Sequence, residues 1–324
     1  MSLQSILAIA DAGSSQFLGM PCLEAFDALF RPWAYHTSIQ DGIDWWMAAC
    51  AFYGGILFMI GSFSGSSQYL VHEAKVGLPN AYNALVYVTF CVGSYLFTLG
   101  CFLMTVPIIN EGYADRLLLW KLQSAHLRVP PPKYRWLGFK PHSISYWGGV
   151  IYTFGAVLYN IGTTVNLADQ SESVYLSLTK QLILESVTFL VGGVGFLLGG
   201  ASFVLENKRR RFLEGILLPR HHSDWVNLGY WVDWLNFWGG VGFFGSGVFL
   251  MFPSLSIEAY RIENAIGFGL GSTCFAAGGL LLFVKLALAR KQLLAEGEQY
   301  DHVRGDSLGS VALSAMSEQL DSPR

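Results

Sequence analysis

Charge is scarce in this chain. Lys, Arg, Asp and Glu make up 13% of its 324 residues, while 52% are hydrophobic. A water-soluble domain carries about 25% charge, so an ordinary soluble globular protein is excluded. Cysteine is scarce too: Cys22, Cys50, Cys91, Cys101 and Cys274 form no CxxC pair, which argues against a disulfide framework or a zinc site and leaves small apolar packing residues. No Asn-x-Ser/Thr sequon marks a glycosylated compartment. There is no GxSxG, HExxH, phosphate-binding loop, kinase set or dinucleotide fingerprint in a strand-helix context. The only histidine cluster, His221-His222-x-Asp224, lacks a third ligand at fixed spacing and reads as solvated interface residues. The expectation is a non-enzyme with no cofactor and no nucleic-acid partner.

What the chain does have is long apolar runs, roughly 45–63, 84–109, 144–167, 182–205, 234–253 and 264–284. A bilayer core about 30 Å thick needs around 20 apolar residues in a helix. Helices are the expected spanning form, since barrel strands are short and alternating. The start, MSLQSILAIADAGSSQF, lacks a basic region before a long apolar core and does not read as a cleavable signal. Seventeen of the 20 Lys and Arg lie before span one, between spans two and three, between four and five, or after six; only Lys75, Lys180 and Arg261 lie on the opposite side. Cytoplasmic loops carry the excess of Lys and Arg, which places both termini in the cytoplasm. The predicted fold is all-α, an integral multi-pass membrane protein with six transmembrane helices as three tandem hairpins. Its segments are 1–43 (cytoplasmic), 44–109 (hairpin 1), 110–143 (basic linker), 144–205 (hairpin 2), 206–230 (basic linker), 231–287 (hairpin 3) and 288–324 (disordered tail).

The odd spans share an entry signature: Phe52-Tyr53-Gly54-Gly55, Tyr146-Trp147-Gly148-Gly149 and Phe237-Trp238-Gly239-Gly240. Among the even spans, VTFCVGSYLFTLGCF from Val88 and VTFLVGGVGFLLGGASF from Val187 are related, and LGSTCFAAGG from Leu270 is a weaker copy. Glycines recur seven apart, as in Gly54 and Gly61, Gly93 and Gly100, or Gly192 and Gly199, nearly two turns on one helical face. Ser246 stands where this alignment puts Gly61 and Gly155. Small residues on one stripe let helix backbones approach closely. Segments such as GGILFMIGS and VGSYLFTLGCFLM resemble the YrhK-like domain family, a two-helix membrane module. The resemblance implies the hairpin architecture and carries no activity or site residue. The three-hairpin count is shared with mitochondrial carriers, but their Pro-x-Asp/Glu-x-x-Lys/Arg signature is missing, Pro253 being followed by Ser-Leu-Ser.

Each hairpin follows an aromatic, basic, Pro-containing inner stretch suited to the headgroup level. Leu117, Leu118, Trp120 and Leu122 read as a short interfacial helix. Lys208, Arg209, Arg210 and Arg211 are candidates for acidic-phospholipid contact, each contributing about 1 kcal/mol near the surface. Membrane lipids and a second copy of the chain are the expected partners. Polar groups within spans are few. Glu185 and Asn160 fall at similar depth in neighbouring helices, with Thr163, Thr164 and Asn166 nearby, and the sequence predicts a hydrogen bond between them. Val86 takes the place of Glu185 in span two, which argues against a threefold transport site. The function read from the sequence is a membrane scaffold or lipid-interacting organiser. The alternative is a small-solute or ion transporter or channel with Glu185 and Asn160 near its mouth.

Overall fold

The computed structural model describes residues 28–32, 38–67, 79–123, 130–170, 177–207, 216, 222–252 and 256–292. Lys208, Arg209, Arg210 and Arg211, His221 and the acidic tail lie outside them. Among the described residues there are helices and no strands. We number the principal helices α1 (Ile39–Ser66), α2 (Asn80–Ile109), α3 (Tyr113–Gln123), α4 (Ile144–Gln170), α5 (Leu178–Glu206), α6 (Leu228–Phe249) and α7 (Glu258–Gln292). Four of these, α1, α2, α5 and α7, are long and apolar enough to cross a membrane. α4 and α6 have 27 and 22 residues and are also mainly apolar. Contacts divide the chain into two units, Arg31–Phe283 and Met1–Phe30 with Val284–Arg324. The packing below is that of the first unit.

Helix starts follow from local hydrogen bonding. The Ser38 hydroxyl accepts from Asp41 N at the head of α1, Asn227 Oδ1 accepts from Tyr230 N at α6, and Ser256 Oγ accepts from Ala259 N at α7. Each satisfies a backbone donor that the helix leaves free. Glu206, at the end of α5, accepts from Ser145 N at the start of α4 (2.8 Å). The Asn110 amide closes the far end of α2 by exchanging hydrogen bonds with the backbone of Arg135. This fixes the linker segment 130–143 against α2. α3 forms where the sequence places a short amphipathic helix.

The six long helices pack in chain order and close on themselves: α1 on α2, α2 on α4, α4 on α5, α5 on α6, α6 on α7, and α7 back on α1. Glycine sets the closeness of each seam. Gly54 faces Gly93, Gly155 faces Gly192, and Gly239 lies beneath the Phe275 ring of α7, with the Gly239 carbonyl facing Gly271. Between these pairs, Gly149 meets Thr105, Gly240 meets the Phe196 backbone, and Gly55 meets Ala276. The sequence alignment set Gly148 against Gly54 and Gly239. In the structure Gly155 holds that place, and Gly148 lies seven residues earlier, against Gly199 and Ser202. A pattern that repeats every seven residues survives a two-turn slip, so its phase is not fixed by spacing alone.

Aromatic rings fill the axis. Phe97, Phe196 and Phe275 touch one another with centroids 4.6–5.9 Å apart. Phe58, Tyr159 and Phe243 form a second triangle at 5.2–6.5 Å. Phe268 bridges Phe90 and Phe189 in a third layer. These separations are those of tilted and edge-on aromatic contacts. Helices α2, α5 and α7 carry one frame, Phe-x-x-Gly-small-x-x-Phe-x-x-Gly-small, from Phe90, Phe189 and Phe268. Tyr152 and Tyr159 cross the axis and donate to the carbonyls of Asn236 and Phe243 (3.2 and 3.1 Å), leaving no buried phenol unpaired there. The bundle exterior is apolar as well, with Val92, Leu99, Phe154, Val191 and Leu198 exposed. Helices apolar on both faces suit a lipid surround.

Candidate functional site

Helices α2, α5 and α7 do not begin as plain α-helices. Each contains a π-helical turn: Ala84–Val88, Leu182–Val187 and Asn264–Gly269. Such turns widen the helix locally and recur at functional sites. All three lie towards the Lys/Arg-poor end of the bundle. Beside them is a small cavity of about 30 Å3, room for one or two waters. Its polar lining is Tyr87 from α2, Thr163 and Asn166 from α4, Glu185 from α5, and Tyr260 and Asn264 from α7. Its floor is aromatic, made by Phe58, Phe90, Tyr159, Phe189 and Phe268. The layers beneath are filled with rings, so the cavity ends at the first of them.

Glu185 is held by one strong bond. Asn166 Nδ2 donates to Glu185 Oε1 at 2.6 Å. A second α4–α5 contact, Gln181 Nε2 to Asp169 Oδ2, lies nearer the end of the helices. The bond expected between Asn160 and Glu185 is absent, and Asn160 Oδ1 is buried without a partner. Distance along a helix does not fix the face on which a side chain lies. Tyr159, Thr163 and Asn166 fall at i, i+4 and i+7 and form the stripe turned to the axis. Asn160 is one residue, about 100°, off that stripe. Thr163 also bridges to Ser94 of α2 at 2.9 Å, and Thr164 meets Tyr95 and Cys91.

Asn166→Leu should therefore leave the Glu185 carboxyl without its donor. Interhelical hydrogen bonds in membranes average about 0.6 kcal/mol and reach about 1.7. The substitution should lower stability by an amount in that range or above, because a partly buried acid loses its partner. A double-mutant cycle with Glu185→Leu, read by thermal unfolding in detergent, should return a coupling of that size. Additive losses would mean the bond is energetically idle.

Two residues missed by sequence reasoning stand out. Glu263 on α7 is 4% exposed, and Ser246 on α6 is 0% exposed. Neither carboxylate oxygen of Glu263 and not the Ser246 hydroxyl has a hydrogen-bond partner. The span assigned from hydropathy stopped at residue 264 because the acid interrupts it. The signal that places Glu263 inside the helix is the Ser256 cap, from which the helix runs uninterrupted past the acid. Among the described residues, no three His, Cys, Asp or Glu side chains cluster as a metal site.

The chain matches no family model, no curated protein and no solved structure.

Proposed function

We propose that this chain is a six-helix membrane protein of three tandem hairpins, with both termini on the cytoplasmic side. It acts as a non-enzymatic scaffold or lipid-interacting organiser. The observation that carries this reading is the ring-filled axis, in which three aromatic layers contributed by all six helices occupy the space a conduction path would need. Support for the six spans comes from α4 and α6, which lie between α2 and α5 and between α5 and α7 with the same close glycine seams. Support for tandem copies comes from the shared frame of α2, α5 and α7 and the matched places of Gly54, Gly155 and Gly239. The YrhK-like assignment of each hairpin rests on its sequence motifs.

On the Lys/Arg-rich side the reading invokes acidic lipid, held by Lys208 to Arg211 and by the aromatic inner segments. Trp136, Leu137 and Phe139 are exposed on segment 130–143 beside Lys133, Arg135 and Lys140, a combination suited to anionic headgroups. Trp234 and Trp238 both donate to the Ile216 carbonyl, tying the second linker to α6 at headgroup level.

The native cysteines supply the test. Cys101 is buried within the aromatic cluster. With Cys22, Cys50, Cys91 and Cys274 replaced by Ala or Ser, Cys101 in proteoliposomes should resist a membrane-impermeant thiol reagent from either side. Labelling would mean an aqueous path reaches the axis, and transport would replace the scaffold reading. In parallel, acidic phospholipid should co-purify with the wild type and be depleted when Lys208 to Arg211 are changed to Gln.

A further inference from the structure

In each helix pair, a small residue on α1, α4 or α6 faces position −4 from the first glycine of the frame carried by α2, α5 and α7. In the first pair Gly61 faces Thr89, and in the second Gly162 faces Thr188. Both threonine hydroxyls turn back onto carbonyls of their own π-helical turn: Thr89 onto Leu85 and Val86, Thr188 onto Leu184 and Glu185. The third pair is reversed. α7 has Gly267 at this position, and α6 supplies Ser246, whose hydroxyl sits in the space that a Gly267 side chain would take. The volume is conserved and the hydroxyl is not used in the same way. It has left the helix whose carbonyls it would bond, and it makes no hydrogen bond.

Glu263 is directly before that same π-helical turn, and Ser246 lies against its carboxylate. Arg261 is two residues away, yet its guanidinium is committed to Glu258 and to the carbonyl of Ser66 at the end of α1. It is therefore not the counter-ion. The result is a buried carboxyl group with nothing beside it but the Ser246 hydroxyl, next to a turn that lacks the hydroxyl found in its two counterparts. A buried carboxyl group stays ionised only when its charge is matched. Oxygen-only surroundings suit a hard cation. A single carboxylate calls for a single positive charge, since a divalent ion would leave an unmatched charge in an apolar setting.

We propose that Glu263 and Ser246 bind one alkali cation at the α6–α7 seam, with carbonyls of the adjoining π-helical turn completing its shell. Bound there, the ion joins α6 to the helix that closes the ring. It gives the protein a cation-dependent stability independent of any conduction path and of any lipid contact.

The test is thermal unfolding of the purified full chain in detergent, with NaCl or KCl titrated against choline chloride at constant chloride. The expected result is a saturable rise in Tm with the alkali ion, absent in Glu263→Gln. Ser246→Ala should require roughly tenfold more cation for the same rise, as befits losing a contact to a charged group. Asp115→Asn, an exposed acid on α3, should respond as the wild type does. The proposal is overturned if Tm is the same in sodium, potassium and choline. It is also overturned if Glu263→Gln keeps the response or, should that variant not fold, if Ser246→Ala titrates like the wild type.

Discussion

Phe196→Ala should be the most damaging single truncation in the bundle. Its ring touches Phe97, Tyr152, Tyr159, Phe243 and Phe275, which come from four other helices. No neighbour can collapse into the gap without leaving its own triangle, and the seams around it are already at glycine separation. Truncating a buried phenylalanine costs about 3–5 kcal/mol when the site relaxes poorly. The cost here is a loss of dispersion contacts rather than of water exclusion, since lipid offers helices no hydrophobic drive to associate. Unfolding in a mild detergent should show the shift, with Phe154→Ala, exposed on the outside of α4, as the comparison. A loss no larger than that of Phe154→Ala would mean that the axis is loosely filled.

Gly240→Ala is expected to have the second largest effect, for the opposite reason. A methyl group there would come within 2.7 Å of the Phe196 carbonyl oxygen and 2.9 Å of the Leu197 nitrogen. Both are backbone atoms, which do not turn aside as a flexible side chain would. Either α5 and α6 move apart or the methyl is not accommodated. Overpacking of this kind costs about 1–3 kcal/mol, which thermal unfolding in detergent should show as a lowered Tm. Gly245→Ala, five residues along the same helix, is the matched control, because nothing lies within 4 Å of the added methyl. It should be neutral or slightly stabilising, since alanine is the better helix former. Equal shifts in the two variants would show that helix propensity, and not the seam, governs the response.

The helices themselves were legible because hydrophobic length is the dominant constraint in a bilayer. Their ends were less so. The sequence gives α7 a start at the last charged residue, whereas the Ser256 cap extends it and draws Glu263 into the packed region. Phase was the second difficulty. Gly148 and Gly155 carry the same local pattern, and only the partner helix distinguishes them, through Gly199 and Gly192 respectively. The third concerned Glu185. Counting residues from either boundary gives its depth but not its face, and it is the face that pairs it with Asn166 and not Asn160. Ser246, which the alignment sets against Gly61 and Gly155, meets Gly267 of α7, a contact visible only once both helices are placed. What sequence supplied reliably was length and composition. What it left open was every property that depends on which two helices meet.

The chain-order closure of the helices has a consequence for synthesis. α1 is made first, yet the face bearing Gly55 and Phe52 is covered by α7, which is made last. While the chain is being inserted, that face stays open, and every newly added helix leaves a second open face at the growing end. The early bundle is an arc with two unfinished edges, kept apart by the order of translation. A chain stopped before α7 would keep both edges for good. They are complementary to each other's missing neighbour and not to lipid, so such a fragment is one that quality control must find before it meets another copy of itself.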